Sequence, residues 1–498
     1  MSSALFYTLP VLLALTGLLL GAAAFSARAS SRLGIPTALV FIALGMALGR
    51  QPELRSAVGD YDVLYVVGNV ALSLILFYGG LCTDLRRVRG VFWPAVALAT
   101  VGVLGISLVT GVVAWLLIPG ITFAAALILG AVLGSTDAAS VLQILGGERI
   151  AGRVKETVEL ESGLNDPMAF ILVATFTAMS MGDGFSWMVL PGIAWKLIGG
   201  AFLGVFIGWV AMNAIQHFRD DAPEAYPART LAVALLAYGV AESLHASGLL
   251  AVFMAALYLR NSRQLPFSAT LIRFHATMAY LAQIVMFVAL GFVVNPAVMV
   301  EFPVAVGGTV LALALALITR PLVVTLVLWP FGFPASEIAG VAWLGLRGAV
   351  PVILMTIPLM VSAGDTRNDE LQIIFKVVFF CVIVGNVIPG ATVRWVMGML
   401  RLRLPPAPQA SATIDIVTAQ PMDAALIMMP VHPDSPVAGK TLAEAKLPGE
   451  VTVALLVRNG RAERVRGDTV FEVGDEVALA VPDRMASVVR ALFGHADD

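Results

Sequence analysis

Apolar residues dominate the chain from residue 5 to about 396, in long runs broken by short polar stretches. A membrane crossing takes about 20 such residues. On that measure the pattern predicts thirteen spans, near 4–25, 34–49, 63–82, 92–118, 122–145, 156–180, 189–215, 229–243, 246–260, 275–294, 303–330, 337–362 and 371–396. The first, "LFYTLPVLLALTGLLLGAAAF", has the look of a secretory leader. However, Arg28 and Arg32 follow it and no basic residue precedes it, whereas a leader carries its positive charge first. It reads as a retained first helix with its N-terminus outside.

The basic residues test this count. The loops after odd-numbered spans collect Arg28, Arg86, Arg87, Arg149, Arg153 and Lys155, among others, while the opposite loops hold Arg50, Arg55 and Arg367. The bias marks the first set as cytoplasmic and favours an odd number of spans. The count depends on a turn at Ala241–Ser247 separating spans eight and nine; without it every later loop changes side.

Beyond "RLRLPPAPQA" the pattern changes. Pro405, Pro406 and Pro408 make a stiff linker, 401–412, between a membrane domain, 1–400, and a small cytoplasmic α/β domain, 413–498. In that tail "ALIMMPV" and "EVTVALLVRNG" read as strands and "TLAEAK" as a short helix. "RAERVRGDTVFEVGDEVALAV" reads as two strands joined at Gly474-Asp475, and "RMASVVRALFG" as a closing helix.

Composition agrees with a polytopic α-helical membrane protein. The chain has 498 residues, 59% hydrophobic and 13% charged, about half the charged share of a soluble domain. A net charge of −2 suggests no nucleic-acid partner. Cys82 and Cys381 have neither metal-type spacing nor a disulfide framework, and no metal site beyond a transported cation is expected.

Three polar clusters interrupt the apolar spans: "GSTDAAS" in span five, "ELESGLNDP" in span six and "GLRGAVP" in span twelve. In the second, Glu161 and Asn165 share one helix face, and Ser162 and Asp166 share the adjoining one. Pro167 should kink the helix beside these carboxylates. Gly134, Ser135 and Thr136 weaken span five, and Gly345, Gly348 and Pro351 weaken span twelve. A charge at mid-membrane costs roughly 2.5–3.5 kcal/mol on insertion scales, so intramembrane acids are functional by default. Arg347 is the evident partner for one carboxylate, either Glu161 or Asp166. The other is then left to bind a proton or a small cation, and broken helices supply the carbonyls and helix ends of secondary-transporter ion sites. Lys196, Arg320, Lys376 and Gln143 read as ordinary interhelical glue. Asp137 divides evenly between the two readings. Glu242 and His245 fall at the turn between spans eight and nine, where a histidine can sense pH or simply sit in solvent.

"GSTDAASVLQILGG", "ELESGLNDPMAF" and "WLGLRGAVPVIL", in that order and separation, resemble bacterial monovalent cation/proton antiporters, with the potassium/proton branch of the NhaP kind nearest. The similarity covers the whole membrane region. The tail resembles the C-terminal half of potassium-conductance regulator domains. The resemblance implies thirteen helices in inverted repeats, a homodimer, an elevator-type cycle in a bacterial inner membrane, and unwound spans five and twelve crossing at the ion site. It makes Asp166 the carboxylate that binds cation or proton, with Asn165, Ser162, Thr136 and Asp137 around it and Glu161 paired with Arg347. The cargo is H⁺ against K⁺, or Na⁺, in electroneutral exchange. Tyr78 stands where relatives usually carry an acid before two glycines, which withdraws support for an ion ligand in span three and for a cation preference. No cofactor is called for. Related tail halves bind small nucleotides, but the tail here has no Gly-x-Gly-x-x-Gly after a strand.

The competing class is a regulated cation channel, since regulator-like tails also sit on channels. The chain lacks the Thr-Val-Gly-Tyr-Gly filter. An enzyme or ATP-driven pump has no support from a Walker or His-Glu-x-x-His motif.

Overall fold

The computed structural model describes residues 17, 21, 37–50, 61–136, 150–183, 187, 189–218, 224–262, 265–293, 302–348, 350–362, 368–403, 424–432, 435–458, 461–482, 485, 488–489 and 492–493. They fall into two compact units. The larger comprises residues 1–218, 227–262 and 272–404; the smaller comprises 405–498 with 219–226 and 263–271. Most of the expected 401–412 linker, and all of span one except Gly17 and Gly21, lie outside the described residues.

The larger unit is helical throughout. Its elements are α1 (Thr37–Leu48), α2 (Tyr61–Cys82), α3 (Phe92–Leu117), α4 (Phe123–Val132), α5 (Gly152–Ala178), α6 (Val189–His217), α7 (Ala225–Ser243), α8 (Gly248–Asn261), α9 (Ser268–Val293), α10 (Val304–Phe331), α11 (Ala335–Trp343), α12 (Val350–Val361) and α13 (Asn368–Met399). Among the described residues seven helices are long and apolar enough to cross a bilayer alone, in α2, α3, α5, α6, α9, α10 and α13. Each expected span from two to thirteen has its helix, with span twelve divided into α11 and α12.

Spans eight and nine are separate helices. Ser247 caps α8 by accepting the Leu250 N–H, and His245 takes a left-handed φ of 56° in the turn. Close helix contacts use small residues. On α6, Gly200 and Gly208 face Ser247 and Ala255, where a Cβ would stand 2.7 and 3.0 Å from the carbonyl oxygens. This is the small-residue packing that lets two helices in lipid approach.

Two spans depart from a continuous crossing helix among the described residues. At 1.5 Å per residue, α4 is only about 15 Å long, half the hydrocarbon thickness. It ends at Leu133, and Gly134–Thr136 follow as a turn and extended chain. The second interruption is Leu344–Gly348, between α11 and α12. Non-helical backbone at membrane depth is tolerated only inside protein, and Ser135, Thr136, Leu346 and Arg347 are all buried. By contrast α5 continues as helix through Pro167. The one donor that proline removes does not outweigh the packing on both sides. Where α10 meets its own proline, a π-turn at Leu315–Thr319 absorbs the missing Pro321 donor and sets the start of the segment beginning at Arg320.

The smaller unit holds a four-stranded antiparallel sheet of β1 (Ala424–Pro430), β2 (Thr452–Arg458), β3 (Arg461–Glu463) and β4 (Glu476–Pro482), in the order β1-β4-β2-β3. Leu456, Val477, Leu479 and Phe471 are buried in its core. The expected helix at "TLAEAK" is a run of turns. Thr441 and Glu444 cap each other reciprocally, but Pro448 and Gly449 stop propagation. Of the two strands expected around Gly474-Asp475, β4 forms after it; before it the chain is strand only in the short β3 and adds one isolated bridge, Thr441 to Val470, among the described residues. Arg458 grips Asp475 through two bonds of 2.7 and 2.8 Å. Burial pushes the Asp475 carboxyl up, but the Arg458 bonds and the Glu472 N–H outweigh it and hold the carboxyl below its ordinary range.

Candidate functional site

Helix α5 brings Glu161, Ser162, Asn165 and Asp166 into the interior, each less than a tenth exposed. The α4 interruption lies against this face. Ser162 Oγ donates to the Thr136 carbonyl at 2.7 Å, and Asn165 Nδ2 donates to Thr136 Oγ1 at 2.5 Å. Thr136, Ser162 and Asn165 are therefore joined directly, with Asp166 next along the chain and 6% exposed. Asn165 Oδ1 and Ser135 Oγ are buried and make no hydrogen bond among the described residues. A carboxylate, an amide oxygen and a hydroxyl are hard oxygen donors of the kind that suit an alkali cation. Asp137 lies outside the described residues, as does Gln143.

The expected Glu161–Arg347 pair is not the one that forms. Glu161 Oε2 pairs with Arg320 Nη2 at 3.1 Å, both side chains 2% exposed. Arg320 also donates from Nε to the Ala342 carbonyl at 3.0 Å and from Nη2 to the Val341 carbonyl at 3.4 Å. It thus satisfies the C-terminal end of α11 as well as the carboxylate. Arg347 does the same for the other interrupted helix: Nη1 donates to the Ser135 carbonyl just past α4. Its own carbonyl accepts from Asn386 Nδ2 on α13. A helix C-terminus carries partial negative charge and orphan carbonyls, and a cation there meets both. Each break therefore has its own arginine, and geometry assigns Glu161 to the one on α10.

Asn386 is the residue that sequence reasoning left out, and Arg320 reads in the sequence as interhelical glue with no partner named. A signal for Arg320 existed. It closes an uncharged run, Phe302–Thr319, and such a cation needs a buried anion. Nothing local says which anion. Glu242 Oε1 accepts the Gly248 N–H at 2.9 Å, at the N-terminus of α8, and His245 is exposed beside it. Tyr78 is half-buried on α2.

Gly345 makes room for Arg320. A Cβ at that position would overlap Arg320 Nε, Cζ and Cδ. A free arginine would swing aside, but this one is held by one carboxylate and two carbonyls. We expect Gly345→Ala to lower the melting temperature of the purified protein by the equivalent of about 1–3 kcal/mol, the usual cost of overpacking. An unchanged melting curve would show that Arg320 is not fixed in this way.

The family description "Sodium/hydrogen exchanger, transmembrane" matches residues 15–397, the whole of this helical region. The chain belongs to the sodium/hydrogen exchanger family. Residues 426–494 match the TrkA-C domain. Among relatives, the chain is 34% identical over 460 residues to the K(+)/H(+) antiporter NhaP of Alkalimonas amylolytica, covering 90% of this chain and 77% of that one. It is 31% identical over 477 residues to the K(+)/H(+) antiporter NhaP2 of Shewanella sp. strain MR-4, covering 94% and 81%. Among solved structures, the sodium proton antiporter MjNhaP1 of Methanocaldococcus jannaschii superposes with a TM-score of 0.68 at 22% identity, covering 79% of this chain and 99% of that one. The fold is thus shared at low sequence identity. An exchanger is a transporter and not an enzyme, and its many apolar helices make it a multi-pass membrane protein.

Proposed function

We propose that this exchanger trades a monovalent cation, K⁺ in preference to Na⁺, for H⁺ by alternating access, with Asp166 holding either ion but never both. The observation that carries the reading is the buried Asp166, next to an Asn165 that is hydrogen-bonded to Thr136 at the helix break. The preference for K⁺ rests on the relatives of 31–34% identity, which are K(+)/H(+) antiporters, while the Na(+)/H(+) antiporter NhaS2 of Synechocystis is 25% identical.

The charge balance makes the exchange electroneutral. Arg320 and Arg347 carry two positive charges and Glu161 one negative. With Asp166 protonated the cluster holds one net positive charge. With Asp166 ionised and a monovalent cation bound it again holds one. The two loaded states match, so a carrier that moves only when loaded shifts no net charge. Asp137 is assigned no exchangeable proton in this scheme. In the cell the chain sits in the bacterial inner membrane as a homodimer with its N-terminus outside, its tail at 413–498 cytoplasmic, and a moving domain carrying the site across as an elevator.

The test is proton flux in proteoliposomes containing the purified chain. An outward K⁺ gradient should acidify the lumen and an inward one alkalinise it, with Na⁺ less effective. Setting the membrane potential with a gradient of the permeant anion thiocyanate, so that the cation and proton gradients stay fixed, should leave the exchange rate unchanged. A rate that follows the clamped potential would overturn the single-carboxylate scheme. Cation flux with no coupled proton movement would favour a channel over an exchanger.

A further inference from the structure

Along one side of α5 the chain passes from exposed to buried within two turns. Glu159 is paired with Lys155 at 3.7 Å, and its side chain is 36% exposed. A carboxylate open to that degree on a spanning helix faces water or headgroups rather than acyl chains. Asp166 lies seven residues on, about 10 Å along the axis and within about 20° around it. It is only 6% exposed. Between the two stands Gly163.

Gly163 has no side chain to close this path, and a ring from another helix takes the place. A Cβ at position 163 would stand 2.5 Å from Phe253 Cε2, 3.1 Å from Cζ and 3.2 Å from Cδ2. The edge of the ring is thus seated in the notch that the glycine leaves, and Phe253 is 1% exposed. The backbone of Phe253 is held elsewhere. On α2, a Cβ at Gly80 would stand 2.6 Å from the Phe253 carbonyl oxygen and 2.7 Å from Ala256 Cβ. Helix α8 therefore meets α2 backbone to backbone, while the Phe253 side chain reaches across to α5. A ring edge on a glycine is held by dispersion and apolar burial, without the directional bonds that would fix it. Such a contact can part and re-form.

We propose that Phe253 is a shutter: its ring on Gly163 separates Asp166 from the water at Glu159, and the exchange cycle opens this end of the site by parting the two. The inference rests on the reading of Asp166 as the carboxylate that carries the ions. The orientation proposed above makes the Glu159 end cytoplasmic. Phe253 acts on access to the site and not on the ions themselves. A carrier that holds one ion at a time needs such a closure, since a site open to both sides at once would leak.

The test reads access and not transport, so it stands apart from flux measurements on Asp166. Asp166→Cys places a thiol behind the ring. The internal reference is Cys82, which is exposed and near Glu159, whereas Cys381 is buried. Everted and right-side-out vesicles identify the face from which Cys82 reacts, and a membrane-impermeant cationic methanethiosulfonate is added there. Mass spectrometry follows both thiols. Relative to Cys82, the thiol at position 166 should react slowly with Phe253 in place. Phe253→Ala should speed it about tenfold, the change that follows from losing an apolar contact of this size. Phe253→Tyr keeps the ring and should behave as phenylalanine does. Phe253→Leu should fall between, and serves where the alanine variant does not fold. If the ratio of the two rates is the same with phenylalanine, leucine and alanine at position 253, the ring packs without closing anything and the proposal fails. It fails too if the thiol at position 166 reacts as fast as Cys82 while Phe253 is intact.

Discussion

Asp166→Asn brings cation-driven proton flux down to the level of protein-free vesicles while the protein still inserts, purifies and melts within a few degrees of wild type. Asparagine keeps the size and polarity of aspartate but can neither take the proton nor supply a full negative charge to a cation. The site is already polar, with Asn165 bonded to Thr136 and Ser162 bonded to the same break. A neutral amide is therefore accommodated without stranding a charge, and loss of exchange cannot be blamed on unfolding. Proteoliposome flux with a parallel melting curve makes the measurement. Near-normal exchange in folded Asp166→Asn protein would remove Asp166 from the mechanism.

The largest effect on stability is expected at Arg320. Arg320→Met strands Glu161, whose carboxylate is 2% exposed with Arg320 at 3.1 Å as its ion-pair partner. Breaking a buried pair from one side costs about 3–5 kcal/mol, because the remaining charge is left uncompensated. Adding Glu161→Gln removes that charge, and the double variant should recover a large part of the lost melting temperature. Recovery stays incomplete, since the Ala342 and Val341 carbonyls still lose their donor. Simple addition of the two single effects in a double-mutant cycle would show that the two residues are not energetically coupled.

This pairing marks where local pattern stops being informative. Apolar run lengths follow from the thickness of the bilayer, so most positions of spans two to thirteen were legible to within a turn or two, including the division of spans eight and nine at Ser247. The helix breaks were legible too, because Gly134, Ser135, Gly345 and Gly348 are poor helix formers wherever they occur. The shared faces of Glu161 with Asn165 and of Ser162 with Asp166 follow from 3.6 residues per turn alone.

Other features depended on what packs against what. Pro167 lies inside the continuous helix α5, whereas Pro321 follows a π-turn at Leu315–Thr319. "TLAEAK" has the reciprocal caps of a helix but is cut short by Pro448 and Gly449. Glu161 has two buried arginines within its cluster, and the sequence offered Arg347 because it sits in a conspicuous motif. Arg320 lies 159 positions from Glu161 along the chain, in a run with no other charge. The sequence by itself determined that charges would be buried, on which helices, and that those helices would be broken, because burial and helix propensity are set by composition over a few turns. Only the tertiary structure decided which arginine neutralises Glu161 and which serves Ser135. An ion pair in a low-dielectric core forms between whichever groups helix packing brings within about 3 Å, and that distance is set by the assembly of α4, α5, α10 and α11 and not by any one of them.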